Sequence, residues 1–508
     1  MDAKSNPFSH MKGRQMCNWK YDEHTKEGIG LRSIVHITNL LILFLLVGCA
    51  DLEPMAQPPF SPSSMFVAPS QDLTAAKPPS SSKPDVPSEI KSKMLTLADC
   101  MKIALDRNPQ TRVTWQATQS AAARVGEEKA AYFPQAELAL AGERADSVSL
   151  NDKETHGPKN IYDARFCVGY LLFDGGARSA RVSGAEAELL VANFRHNTTL
   201  QDVAVAVEED YYELLAAKWV LNVAQETVKQ TQYHVDLARA RYKSGLVARS
   251  DVLKTETEKA NADLFMVKAN SAVKISQGKL ASTMGLKVSH PFEVAEHPED
   301  MREQELANVE LLLEEAAQNR PELRAFLAQI ESKRANLKET RAQYWPVIGM
   351  DAGYGWRDQT LVPDRDEWSI GIGLSLPLFT GFGRAYRLRR ARSELAAALA
   401  EYDELMRDVE LEVWITYMQV IESNQAVQAS EKLVASAEES DRVAEGEYKN
   451  GTGFIIELID AQTAHTIAKT RLVQARLDWY SAIARFERAV GRTLAEQDVA
   501  TSRRDSRR

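Results

Sequence analysis

Two carboxylates, Glu457 and Asp460, follow the turn Gly451-Thr452-Gly453, and their three-residue spacing puts both on one face of a helix. Carboxylates so placed repel one another, and on spacing alone the pair reads most simply as a solvated helix face. No arrangement that could carry catalysis accompanies them. The chain has no HExxH, no GxSxG and no GxxxxGK[ST], and Gly371-Ile372-Gly373 lacks the third glycine of a dinucleotide loop. Its 9 histidines are scattered without a pair at metal-ligand spacing, and its 13 methionines form no cluster. No catalytic residue, cofactor or metal site is expected.

The elements that must position those acids are set by a chain of 508 residues, longer than an ordinary domain, so two domains or internal copies are expected. Lys and Arg number 62 against 71 Asp and Glu, a net charge of −9 that argues against a nucleic-acid partner. Four cysteines without a CxxC pair supply no four-thiolate zinc site. A hydrophobic fraction of 44% and a mean hydropathy of −0.34 exclude a series of membrane helices.

Residues 40–48 are an unbroken apolar run, too short to span a bilayer but suited to the core of a secretory signal. The run ends in Leu46-Val47-Gly48-Cys49, which resembles the lipobox of bacterial lipoproteins. Residues 1–48 therefore read as a signal peptide and Cys49 as a lipid anchor. Ala50 in place of aspartate points by sorting rules to the outer membrane. Residues 49–94, rich in proline and serine, read as an extended tether, because they cannot bury enough apolar surface to order themselves.

Self-comparison shows a tandem duplication. Asn108-Pro109 and Tyr132-Phe133-Pro134 recur as Arg320-Pro321 and Tyr344-Trp345-Pro346, 212 residues on. Phe173-Asp174-Gly175, Tyr242-Lys243-Ser244-Gly245 and Met284-Gly285 recur as Phe379-Thr380-Gly381, Tyr448-Lys449-Asn450-Gly451 and Val490-Gly491, 206 residues on. Repeat 1 is placed at 95–290 and repeat 2 at 305–495, with a basic tail at 496–508 expected to lack order. The six-residue difference falls between Pro134 and Phe173 and predicts a loop of unequal length.

Each copy opens with a short helix, over 95–104 and 309–317, stopped by an X-Pro step from which a longer helix starts. Two strands follow. Trp368, Ile370, Ile372, Leu374 and Leu376 alternate with Glu367, Ser369, Gly371, Gly373 and Ser375, a period of two with one apolar face. Such a face packs on helices in a soluble sheet or meets lipid in a membrane barrel. Four strands per chain would leave open edges in lipid, so a membrane barrel requires several chains; three would give twelve strands. Beyond Gly383 the spacing of Leu395, Leu399, Tyr402, Met406, Val409, Val413, Val420, Val427 and Val434 is that of a coiled coil, and no proline interrupts it as far as Lys449. At 1.5 Å per residue this helix is roughly 100 Å long, and 177–243 matches it in repeat 1. The turns at Gly245 and Gly451 join each long helix to a partner, over 251–284 and 457–490.

Taken in order, Leu95-Thr96-Leu97-Ala98, Asn108-Pro109, Tyr132-Phe133-Pro134-Gln135, Leu172-Phe173-Asp174-Gly175-Gly176 and Arg241-Tyr242-Lys243-Ser244-Gly245 resemble the TolC-type outer-membrane efflux family, and Cys49 brings the chain nearer its OprM-like lipoprotein branch. The resemblance implies a mainly α fold with membrane strands: tandem coiled-coil hairpins forming an α-barrel, and four strands per chain entering a twelve-stranded barrel of a homotrimer. It implies a passive exit duct that works with a periplasmic adaptor and an inner-membrane pump and contacts outer-membrane lipid. Gly245, Leu246 and Gly451 would meet the adaptor, while Glu457 and Asp460 would form carboxylate rings in the closed pore. Asp251 and Tyr448 match positions of the polar links that close the tip. The basic residue expected two places after Gly451 is instead Gly453, which leaves Arg249 as a substitute. The other readings are a channel for type I protein secretion and a periplasmic coiled-coil adaptor without a pore. The two strand pairs speak against the adaptor.

Overall fold

The computed structural model describes residues 94–145, 158–290, 292–295, 308–360 and 366–492. The expected signal peptide, Cys49, the tail at 496–508 and all of the tether but Met94 lie outside the described residues.

Each repeat runs helix, helix, strand, strand, long helix, helix. Repeat 1 comprises α1 (Leu97–Arg107), α2 (Pro109–Lys129), β1 (Gln135–Ala145), β2 (Lys159–Phe173), α3 (Ala177–Lys243) and α4 (Arg249–Thr283). Repeat 2 comprises α5 (Val309–Asn319), α6 (Pro321–Ala342), β3 (Val347–Asp358), β4 (Glu367–Ser375), α7 (Gly383–Asn450) and α8 (Ile455–Val490). The unequal stretch falls between β1 and β2, as the change of offset requires. Helices α1 and α5 run two to three residues further than the sequence period suggests, up to the residue before Asn108 and Arg320. An X-Pro step excludes only its own first residue from the α region, so the helix continues until that point.

Local chemistry sets these boundaries. At α1 the Asp99 N–H donates to Thr96 Oγ1 (3.2 Å) and the Thr96 N–H to Asp99 Oδ2 (3.1 Å), a reciprocal capping box. Asn108 Oδ1 then accepts the Gln110 N–H at 2.8 Å, which starts α2 on Pro109. Asn308 does the same for α5 through the Glu310 N–H at 3.1 Å.

The chain divides into two compact units, each drawn from both repeats. One holds residues 120–189 and 328–399 and contains an antiparallel sheet in the order β1-β2-β3-β4. Its register aligns side chains into rows that cross all four strands. Leu138, Phe166, Tyr354 and Trp368 make one such row, and Ala136, Val168, Ala352 and Ile370 the next. The opposite face carries Gln135, Gly169, Asp351 and Gly371, then Ala139, Arg165, Gly355 and Glu367, with Arg165 paired to Asp163 at 2.8 Å. The apolar rows stay uncovered, Trp368 being 72% exposed.

The other unit, within 94–119, 190–327 and 400–492, holds the apolar cores. In repeat 1, Cys100 and Ala104 of α1 pack with Val207, Leu214 and Leu215 of α3 and Leu280 and Met284 around the end of α4. In repeat 2, Leu312 and Ala316 of α5 pack with Val409, Val413 and Val420 of α7 and Phe486 and Ala489 of α8. The expected stripe of α7 is thus buried from Val409 to Val427, with Thr416 and Ser423 filling its gaps. Nearer the sheet it departs from expectation, for Leu399 is 42% exposed while the small Ala391 and Ala398 are buried. There α7 continues from β4, which among the described residues has a strand neighbour on one side only. No helix among the described residues is long and apolar enough to cross a membrane.

Candidate functional site: the hairpin tips

Both long helices end on a left-handed glycine, Gly245 (φ 74°) and Gly451 (φ 84°). At the first tip the Gly245 N–H donates to the Tyr242 carbonyl (2.9 Å) and the Leu246 N–H to that of Arg241 (2.9 Å). At the second, Gly451 donates to Tyr448 (3.1 Å) and Thr452 to Glu447 (3.0 Å). Both are Schellman caps, whose left-handed position suits glycine because it has no Cβ to clash. Gly245, Leu246 and Gly451 are exposed, and Leu246 presents 68% of its surface.

The helices that leave the tips begin alike. Asp251 and Glu457, 206 residues apart, both occupy the third helical position, of α4 and of α8. Glu457 accepts the Phe454 N–H at 3.1 Å, half of a capping box that the phenyl ring of Phe454 cannot complete. Its helix-starting role is therefore visible in one chain. Glu457 and Asp460 are exposed and share a face. Asp251 is half-buried and accepts from the Ser250 hydroxyl at 3.4 Å.

Tyr448 anchors the second tip. It is 2% exposed, packs with Ile455 and Leu458, and has no hydrogen-bond partner for its hydroxyl among the described residues. Burial raises its pKa above the ordinary tyrosine value, the Arg241 cation opposes that rise and the Asp251 carboxylate adds to it. Arg241, from the last turn of α3, crosses to this residue. Its guanidinium carbon lies 4.9 Å from the Tyr448 ring centroid, and its Nη1 donates to the Tyr448 carbonyl oxygen. That carbonyl is one of the last four of α7, where a cation is also favoured by the helix dipole. Lys449 answers from α7 by lying over the Tyr233 ring of α3, at 5.1 Å.

Within the chain, the basic residue that contacts the second tip is Arg241. Arg249 is exposed at the first position of α4 and makes no ion pair among the described residues. Sequence reasoning missed Arg241 because it sought a partner close to Gly453, whereas the contact comes from the other repeat, 207 positions away.

Behind the tip, the buried His465 of α8 lies 2.9 Å from the half-buried Asp441 carboxylate of α7. His234 of α3 is buried near Asp441 and Glu445, and burial lowers its pKa below the ordinary histidine value, with Lys449 acting in the same direction. Among the described residues no group of three His, Cys, Asp or Glu could hold a metal ion.

Comparison with known proteins adds a family. The model described as outer membrane efflux protein matches residues 101–286 and 312–492, nearly the whole of both repeats. The chain is 27% identical to protein CyaE of Bordetella pertussis over 75% of this chain and 80% of that protein. It is 24% identical to the outer membrane protein TolC of Vibrio cholerae over 62% of this chain and 73% of that protein. The outer-membrane channel OprN shares the fold at a TM-score of 0.71 and 17% identity, covering 78% of this chain and 90% of that one.

Proposed function

Because the chain belongs to the outer membrane efflux protein family, we propose that it is the exit duct of a tripartite export system, a passive conduit that receives its cargo from an inner-membrane pump through a periplasmic adaptor. The observation that carries this reading is the sheet. Its apolar rows run unbroken across four strands, its other face is polar, and its two outer strands are open. An open edge in lipid strands unpaired backbone groups, so the sheet becomes a membrane structure only when other copies close it. Three copies give a twelve-stranded barrel with the apolar rows toward lipid and the polar face toward water.

The tips provide the gate. Arg241 holds α3 to the end of α7, and opening requires that contact to part, a shift of population driven by adaptor binding to the exposed Gly245, Leu246 and Gly451. Three copies of Glu457 and Asp460 would ring the pore and favour cations. In this reading Asp251 and Tyr448 belong to the links that close the tip, and the burial of Tyr448 supports such a role. Cys49, read from sequence alone, anchors the chain through acyl groups that contribute about 0.8 kcal/mol per buried methylene. Labelled palmitate carried by the native chain and absent from Cys49→Ala tests that anchor.

The test of the duct is deletion of its gene in the native cell. Cells lacking it should accumulate exported small molecules or retain secreted proteins, and which cargo is trapped separates efflux from type I secretion. Unchanged export of both classes would overturn the reading.

A further inference from the structure

The two repeats differ in charge where each long helix leaves the sheet. Residues 173–187 carry Arg178 and Arg181 against Asp174 and Glu186, which cancel. Their counterparts at 379–393 carry Arg384, Arg387, Arg389, Arg390 and Arg392 and no acid, in a chain whose net charge is −9. Arg384 is committed inside the chain, to the carbonyls of Gln343, Pro377 and Leu378 and to the Tyr344 ring. Arg390 reaches Glu394 at 3.6 Å. Arg389 and Arg392, three apart and so on one face of α7, are exposed and make no ion pair or hydrogen bond among the described residues.

Neighbouring helices leave that face open. In repeat 1 the long helix α3 is flanked on both sides, for Arg181 reaches Glu128 of α2 at 3.3 Å and Glu339 of α6 at 3.6 Å. Even there Ser183 and Glu186, the counterparts of Arg389 and Arg392, stay exposed.

The same face starts from an aromatic residue held at a steric cost. Phe382, two turns before Arg389, has a left-handed backbone (φ 63°) and is the one non-glycine residue to do so among the described residues. Its counterpart is Gly176 (φ 88°), the residue type that such a backbone suits, and a Cβ there would meet nothing within 4 Å. Repeat 2 thus keeps a ring where glycine would relieve the backbone, and Phe382 is 69% exposed. Phe379, exposed too, meets its ring edge to face at 5.6 Å. Leu378, 86% exposed, continues the alternation of Leu374 and Leu376. The turn between β4 and α7 therefore prolongs the apolar face of the sheet as far as the arginines.

Apolar and aromatic side chains followed at once by cations fit the boundary of a lipid layer, where rings sit among the headgroups and cations reach phosphate. Helical side chains lean toward the N-terminus of their helix. Arg389 and Arg392, roughly 9 and 14 Å along α7 from Gly383, accordingly lean back toward the sheet.

We propose that the turn at 376–382 beds in the headgroup layer at the foot of the barrel and that Arg389 and Arg392 bind the phosphate of an anionic phospholipid there. The occupant is a lipid because the turn continues the apolar rows of the sheet, and it is anionic because the stretch holds five cations and no acid. This rests on the membrane-barrel reading and goes beyond it by naming the headgroup chemistry and the residues that select it.

The test is native mass spectrometry of the full-length protein in mild detergent, titrated in turn with tetraoleoyl cardiolipin, dioleoyl phosphatidylethanolamine and lipid A. The native chain should bind cardiolipin most tightly. Arg389→Gln with Arg392→Gln should weaken cardiolipin binding roughly tenfold or more and leave phosphatidylethanolamine binding and basal conductance as they were. Arg389→Lys with Arg392→Lys keeps the charge and should keep most of the preference. Phe382→Gly, which relieves the backbone, should weaken binding of both phospholipids and leave the protein at least as stable to heat. An oligomer that binds the two phospholipids equally, or whose cardiolipin binding survives the glutamine pair, overturns the proposal and leaves the duct standing. A glutamine pair that alters ion preference and not lipid binding places these arginines in the lumen and also overturns it. Tighter binding of lipid A than of cardiolipin, lost in the glutamine pair, overturns the assignment to phospholipid. A native chain that stays monomeric and binds no lipid overturns both the proposal and the duct.

Discussion

The Arg241 guanidinium carbon lies 4.9 Å from the centroid of the Tyr448 ring, and the same side chain donates to the Tyr448 carbonyl oxygen. One residue of repeat 1 thus holds both the ring and the backbone of the last turn of repeat 2's long helix. A charge-assisted hydrogen bond with a cation–π contact is worth on the order of 2 kcal/mol. Arg241→Ala should therefore raise the open fraction of the channel by roughly tenfold or more, measured as basal conductance without adaptor. Arg241→Lys should fall between, since an ammonium keeps the charge and loses the planar fork. Unchanged basal conductance in both variants would contradict a holding role.

The two tip glycines should differ. A non-glycine residue in the left-handed region costs on the order of 1 kcal/mol, so Gly245→Ala and Gly451→Ala both loosen their turns. At Gly451 a Cβ would also come 3.1 Å from Arg241 Nη2, whereas at Gly245 it meets nothing within 4 Å. Gly451→Ala should raise basal conductance more than Gly245→Ala. Leu246→Asp changes an exposed side chain outside the Arg241–Tyr448 contact and keeps the backbone bond to the Arg241 carbonyl, so it should weaken adaptor binding and leave basal conductance as it was.

Acid should loosen the helical unit. Burial lowers the pKa of His196 and of His234 below the ordinary value near 6.5. The unfolded chain then binds protons first as pH falls, and stability is lost from about pH 6.5 downward. The thermal unfolding midpoint should drop between pH 7.5 and pH 5.5, by less in His234→Gln and His196→Gln than in the native chain. A drop of the same size in both variants would remove these histidines as its cause.

Much of this was legible in the sequence because it is local or periodic. The proline stops, the glycine ends of the long helices and the strict alternation of β4 act within one element, and the structure places all of them close to where spacing predicts. The duplication also set the strand count. The grip of Arg241 on Tyr448 was not legible, for it joins residues of different repeats through the crossing of two long helices, which no local period encodes. The shared position of Asp251 and Glu457 was readable from the offset of 206, yet it emerges clearly only when both turn geometries are seen. The sheet-proximal part of α7 departs from its stripe because burial there depends on what lies beside an outer strand.

The central claim is that copies of this chain close into a water-filled duct with acid rings at its narrow end. Single-channel conductance of the purified full-length protein in planar bilayers tests it most directly. The native chain should insert as an oligomer, conduct in discrete steps and prefer cations, and Glu457→Gln with Asp460→Asn should lower that preference. Absence of any conductance from a protein that stays monomeric in mild detergent would contradict the account.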